Sequence, residues 1–246
     1  MMTVFDEWIL ISFRLLPMFI GLNKGPLQRL PGVVRAKVLL VLSLVISVFI
    51  DINTAYTGIE FIKVAIGEFF IGALLYFPIV LAIASISFWG RVLDMQIGFG
   101  AAGVMDPTTN SQEPLIGTFY SYLALVLFYV LGLHTELLAG VLFTYEVIEV
   151  GRWISGFDFE VYLGMSFFIF VISMYLFLPM ILVMWCLDIF IGFLSRTMPQ
   201  MNIYFVMLPF KIFIGITVVG VNVLHSKELF ALLYDKSFFF IRELGF

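Results

Sequence analysis

The chain has 246 residues, 62% of them hydrophobic and only 12% charged, with a mean hydropathy of +1.11. A soluble globular domain carries about 45–50% apolar and about 25% charged residues, so this composition excludes a disordered segment and an ordinary soluble enzyme. Thirteen Lys and Arg against 17 Asp and Glu leave a net charge of −4, and so no basic face to meet the phosphates of a nucleic acid. One cysteine, Cys186, excludes an intrachain disulfide and a thiolate metal cluster. What remains is an all-α, polytopic membrane protein, and at about 20 apolar residues per span five to seven spans fit.

Residues 8–22 form the first apolar run. Asp6 and Glu7 precede it with no Lys or Arg, and no small-residue cleavage site follows, so it reads as a retained helix rather than a secretory leader. Arg14 lies within it and either faces a partner or snorkels along an interface. Residues 23–32 hold two Pro, two Gly and an Asn and read as a loop. Lys24, Arg29, Arg35 and Lys37 make the strongest basic cluster, which the positive-inside rule places in the cytoplasm. Residues 38–50 are uncharged but cover only about 20 Å of a roughly 30 Å hydrocarbon core. Residues 64–89 are long enough to span, with Glu68 inside, a kink expected at Pro78, and Gly67 and Gly72 positioned for close helix approach.

Residues 96–103 are small and Gly-rich. They run into the most polar decapeptide of the chain, Met105-Asp106-Pro107-Thr108-Thr109-Asn110-Ser111-Gln112-Glu113-Pro114. Two prolines there exclude a continuous helix. Gly98, Gly100 and Gly103 are candidates for contact with a neighbouring helix, since small residues let backbones meet. The same stretch spells GxGxxG, but without a strand before it the letters carry no dinucleotide meaning. Residues 115–133 are nineteen uncharged residues and read as the cleanest span. Residues 137–145 are too short to span alone, and 146–160 read as an acidic loop. Residues 161–187 make a long apolar helix with Pro179 inside, expected to stop at Asp188.

Residues 189–210 read as a helical hairpin with its tip at Met198-Pro199-Gln200-Met201, because Pro199 breaks the helix and Arg196, Gln200 and Asn202 are polar. Asp188 lies eleven residues before Pro199 and Lys211 eleven after Gln200. In an antiparallel pair the two charges fall at one depth, where they pair with each other or with a neighbouring subunit. A charge at the bilayer centre costs about 2.5–3.5 kcal/mol, so Arg14, Glu68, Asp94, Asp188 and Lys211 each need a partner or a watery cavity. Short helices and polar turns are tolerated at depth only under protein cover. One subunit of a larger assembly and a monomeric carrier with broken helices fit equally. His134 and His225 stand alone, without ligand-spaced neighbours, so no metal site is expected.

Two stretches carry a resemblance: Gln96-Ile97-Gly98-Phe99 followed by Met105-Asp106-Pro107, and residues 192–204 reading Gly-Phe-Leu-Ser-Arg-Thr-Met-Pro-Gln-Met-Asn-Ile-Tyr, then Leu208-Pro209-Phe210-Lys211. This pattern resembles the FliR/SpaR/YscT family, export-gate subunits of flagellar and type III protein secretion. The family's block reads roughly Gly-Leu-Leu-x-Arg-x-x-Pro-Gln-x-Asn, then Leu-Pro-Leu-Lys, and Phe210 here replaces the usual leucine. Order, spacing and chain length agree over nearly the whole chain.

The resemblance implies a single export-gate domain, with a FliP-like part over about residues 1–135 and a second part over about 136–246 that includes a FliQ-like hairpin. It implies FliP-like and FliQ-like subunits, FlhB-like and FlhA-like export components, unfolded exported proteins and membrane lipid as partners. It places the chain in the bacterial inner membrane at the base of the flagellum or injectisome. It implies no catalytic site and no cofactor; energy comes from a partner ATPase and the proton-motive force. Residues 105–114 become a plug in the lumen of the assembly, since a closed pore needs a segment that can leave without unfolding a helix. A virulence injectisome homologue is the alternative within the family. A small-molecule secondary transporter is the alternative from another class, and the chain shows no inverted repeats to support it.

Overall fold

In a computed structural model of the chain, the residues described are 4–20, 31–50, 56, 58–99, 114–151, 158–198, 200 and 203–243. Among them stand eight helices and no strand: α1 (Val4–Ile20), α2 (Gly32–Phe49), α3 (Ile59–Ile97), α4 (Leu115–Val130), α5 (Leu133–Val147), α6 (Phe159–Thr197), α7 (Ile203–His225) and α8 (Lys227–Glu243). Four are long and apolar enough to cross a membrane, α2, α3, α6 and most of α7, and α4 with α5 make a fifth if that bent pair is one span. The protein is an all-α polytopic membrane protein.

Two compact units divide the chain. The first comprises Met1–Leu81, Phe128–Phe167 and Asp235–Phe246. In it α1 packs against α2. Trp8 Nε1 donates to Leu40 O at 3.4 Å, and Arg35 Nη1 donates to Phe19 O at 3.1 Å, which satisfies a carbonyl in the last turn of α1. Leu10, Ile11 and Leu15 of α1, Leu75 and Ile79 of α3, and Leu137 and Val141 of α5 are buried. The second unit comprises Ala82–Leu127 and Phe168–Tyr234. Tyr120 is its centre, with its ring 4.8 Å from Phe177 and 6.5 Å from Phe230. Ser85 and Ser173 hydroxyls meet at 2.6 Å between α3 and α6, and Tyr234 donates to Ala124 O at 2.6 Å.

Several elements run differently from their sequence reading. The apolar stretch 115–133 is not one straight helix. α4 ends at Val130 and the chain bends by 68° before α5. Gly132 stands at the break with φ +73, a left-handed conformation that glycine adopts without steric cost. α6 does not stop at Asp188 but continues to Thr197, and the Asp188 carboxylate pairs with Lys211. Nor does Lys211 divide the segment after it, since α7 is continuous through Pro209 and Lys211. α3 and α6 each run 39 residues with a proline inside. At Pro78 the carbonyl left without a helical donor is that of Leu74, and it accepts from the Tyr162 hydroxyl at 3.0 Å. α6 begins where Asp158 Oδ1 accepts from the backbone N–H of Glu160 and Val161, at 2.9 and 3.3 Å, a capping role suited to Asp.

Candidate functional site: paired charges and the frame of residues 100–113

In the first unit Arg14 and Glu68 form an ion pair at 2.5 Å, with side chains 0% and 1% exposed. Arg14 is no snorkelling residue. Its Nη1 donates to Thr144 O and its Nη2 to Ile148 O, both at 3.1 Å. These carbonyls close the carboxyl end of α5, where a cation complements the helix dipole. The guanidinium also lies 4.1 Å from the centre of the Tyr145 ring. Glu68 Oε1 accepts from Gly151 N at 3.0 Å, and the Tyr56 hydroxyl donates to the adjacent Val150 O at 3.2 Å. One buried pair therefore joins α1, α3 and the exit from α5. Gly72 brings α3 against α1, for a Cβ there would lie 1.9 Å from Arg14 O; Gly67 has open space around it.

The second unit holds both stems of the polar decapeptide. A Cβ on Gly90 of α3 would lie 2.3 Å from the Gly117 Cα of α4, and one on Gly117 would lie 3.0 Å from Ser87 O. The two helices thus touch backbone to backbone, which only glycine permits. One turn beyond Gly90, Asp94 is 3% exposed. Its Oδ1 and Oδ2 accept from Ile116 N at 3.0 and 3.1 Å, and Oδ2 accepts from Gly117 N at 3.3 Å. These are N–H groups of the first turn of α4, which have no partner within their own helix. α3 ends with Gly98 N donating to Asp94 O at 3.1 Å, and Gly98 has φ +101.

α6 and α7 form the third feature. Lys211 Nζ donates to Asp188 Oδ1. The lysine side chain is 8% exposed and the aspartate 44%. Further along α7, Asn222 Nδ2 donates to Leu176 O at 3.1 Å and Asn222 Oδ1 accepts from the Tyr120 hydroxyl at 2.7 Å. Gly215 meets the end of α3, where its Cβ would lie 2.8 Å from Ile97. Positions 211, 215 and 222 fall on one face of a helix with 3.6 residues per turn, and through that face α7 meets α3, α4 and α6.

Of the candidate residues read from the sequence, Met105, Asp106, Pro107, Thr108, Thr109, Asn110, Ser111, Gln112, Glu113, Gly100, Gly103 and Pro199 lie outside the described residues. Pro114 sits directly before α4, where its carbonyl accepts from Thr118 N at 2.9 Å. Gly98 meets Leu208 of α7 in its own chain, at 2.9 Å from where its Cβ would be. Arg196 is exposed in the last turn of α6, and Gln200 is exposed beyond it. Sequence reasoning flagged Arg14, Glu68 and Asp94 as charges in need of partners but did not pair them. It missed Gly90 and Gly117, single glycines in apolar runs with no spacing signal.

The chain matches the model of the family described as bacterial export proteins, family 1, over residues 5–235. It is similar to the flagellar biosynthetic protein FliR of Bacillus subtilis (strain 168), with 28% identity over 214 residues, 85% of this chain and 83% of that one. The flagellar biosynthetic protein FliR of Escherichia coli (strain K12) is 26% identical over 157 residues, 63% of this chain and 60% of that one. That of Aquifex aeolicus (strain VF5) is 24% identical over 192 residues, 77% and 74% of the two chains.

Proposed function

Since the chain belongs to the family of bacterial export proteins, family 1, we propose that it builds, with FliP-like and FliQ-like subunits, a gated channel for unfolded proteins. It is a membrane-embedded component of flagellar protein export. In this reading the complex stands in the bacterial inner membrane, beside FlhB-like and FlhA-like components that deliver substrates and energy. The chain itself supplies shape and closure, with no catalytic residue. The flagellar branch is favoured over the injectisome by the names of its relatives.

One observation carries the channel reading. Two apolar helices meet at Gly90 and Gly117 and are tied by Asp94, and in sequence the polar decapeptide 105–114 lies between them. In this reading a barrier carried between two packed helices opens without unfolding either helix. In this reading residues 105–114 close the channel at rest. Deleting residues 108–112 is expected to let resting cells leak ions and small solutes while the complex still assembles. Unchanged leakage together with normal export would overturn the closure role.

A further inference from the structure

Asp94 is a carboxylate inside an apolar helix, and what it faces among the described residues is the amino end of α4. Capping is ordinarily done by a residue next in sequence to the helix it caps. Here the cap comes from another helix, 22 residues away. An ionised carboxylate accepts only and offers about four lone-pair sites, which suits three contacts from two adjacent N–H groups. The Gly90–Gly117 contact fixes how closely α3 and α4 approach, but two bare backbones can still slide along each other. The bonds to Ile116 and Gly117 fix the register.

We propose that Asp94 is a positioning residue for the channel. Its carboxylate locks the carboxyl end of α3 to the amino end of α4, and so fixes the register in which these two helices stand in the channel wall. This inference rests on the reading of the chain as a channel subunit. Neutral Asp94→Asn keeps the shape but turns an NH2 group toward a backbone N–H, so one side of the lock opens.

The experiment uses the whole complex. Hydrogen exchange is followed in the peptide containing Ile116 and Gly117 in purified wild-type and Asp94→Asn complexes, and ion leakage is measured in resting cells of each. Loss of the bonds is expected to speed exchange at these amides on the order of tenfold, and to raise leakage, with complex yield unchanged. Unchanged exchange would overturn the lock. Faster exchange with wild-type leakage, in a strain background where deletion of residues 108–112 does leak, would overturn the positioning role and leave the channel reading intact. If neither variant leaks, the closure role of residues 105–114 fails and the positioning role with it. Should Asp94→Asn not assemble, Asp94→Glu is measured the same way. It keeps the charge but displaces it by one methylene, and faster exchange with raised leakage is again expected, wild-type behaviour in both overturning the proposal.

Discussion

The Tyr162 hydroxyl donates to the Leu74 carbonyl at 3.0 Å, the one carbonyl of α3 that Pro78 deprives of its helical donor. The bond explains how a 39-residue helix passes through a proline in an apolar setting. Tyr162→Phe leaves that carbonyl unsatisfied, a loss of about 1–3 kcal/mol, read as a lower midpoint for thermal dissociation of the purified complex. Pro78→Ala restores the missing N–H, so the double variant should regain much of the loss. A double variant no more stable than Tyr162→Phe would show that the carbonyl is not the cause.

Arg14 and Glu68 should be far less tolerant of single changes than of a joint one. Removing one member of a buried pair strands a charge and costs about 3–5 kcal/mol, whereas replacing both with apolar residues of similar volume is often neutral. Arg14→Met and Glu68→Leu are each expected to abolish recovery of folded protein, and the double variant to recover it. Complex yield after detergent extraction is the measure. Equal loss in all three would mean that the carbonyls of Thr144 and Ile148 need the guanidinium more than Glu68 does.

At the Asp188–Lys211 pair the two single variants should differ. Asp188→Asn strands a lysine that is 8% exposed, while Lys211→Met strands an aspartate that is 44% exposed. The first therefore approaches the buried-pair cost of about 3–5 kcal/mol, and the second the cost of a lone charge in a membrane helix, about 2.5–3.5 kcal/mol at most. Exchanging the charges, Asp188→Lys with Lys211→Asp, should restore part of the assembly lost by Asp188→Asn. No recovery would indicate that a neighbouring subunit supplies the working partner of one of them.

Gly98 is the glycine of the 98–103 stretch for which the geometry gives a number. A side chain there takes a left-handed backbone, at about 1–2 kcal/mol, and meets Leu208 at 2.9 Å. Gly98→Ala should lower the thermal midpoint measurably, and pairing it with Leu208→Ala should return only the steric part. Full recovery in the double variant would mean that backbone conformation plays no role at this position.

Composition alone settled the apolar class of this protein, because hydropathy is a local property, and the long uncharged runs pointed to helices. The Arg196-Thr197-Met198-Pro199-Gln200 block and its following Lys211 were equally legible. The meeting of Asp188 and Lys211 follows from counting residues about a proline turn, since a hairpin's partners are set by distance along the chain. Arg14 with Glu68, 54 residues apart, and Asp94 with the start of α4 could not be counted in this way. A charge in an apolar run announces that it needs a partner, but hydropathy is blind to which of many helices will bring one. The same blindness hid the break at Gly132 and the continuity of α6 through Asp188. Uncharged residues do not mark a bend that one left-handed glycine makes, and a single charge in an apolar run does not by itself end a helix. Packing supplied those partners: backbone contacts at Gly72, Gly90 and Gly117 brought helices close enough for each buried charge to be satisfied by protein instead of water.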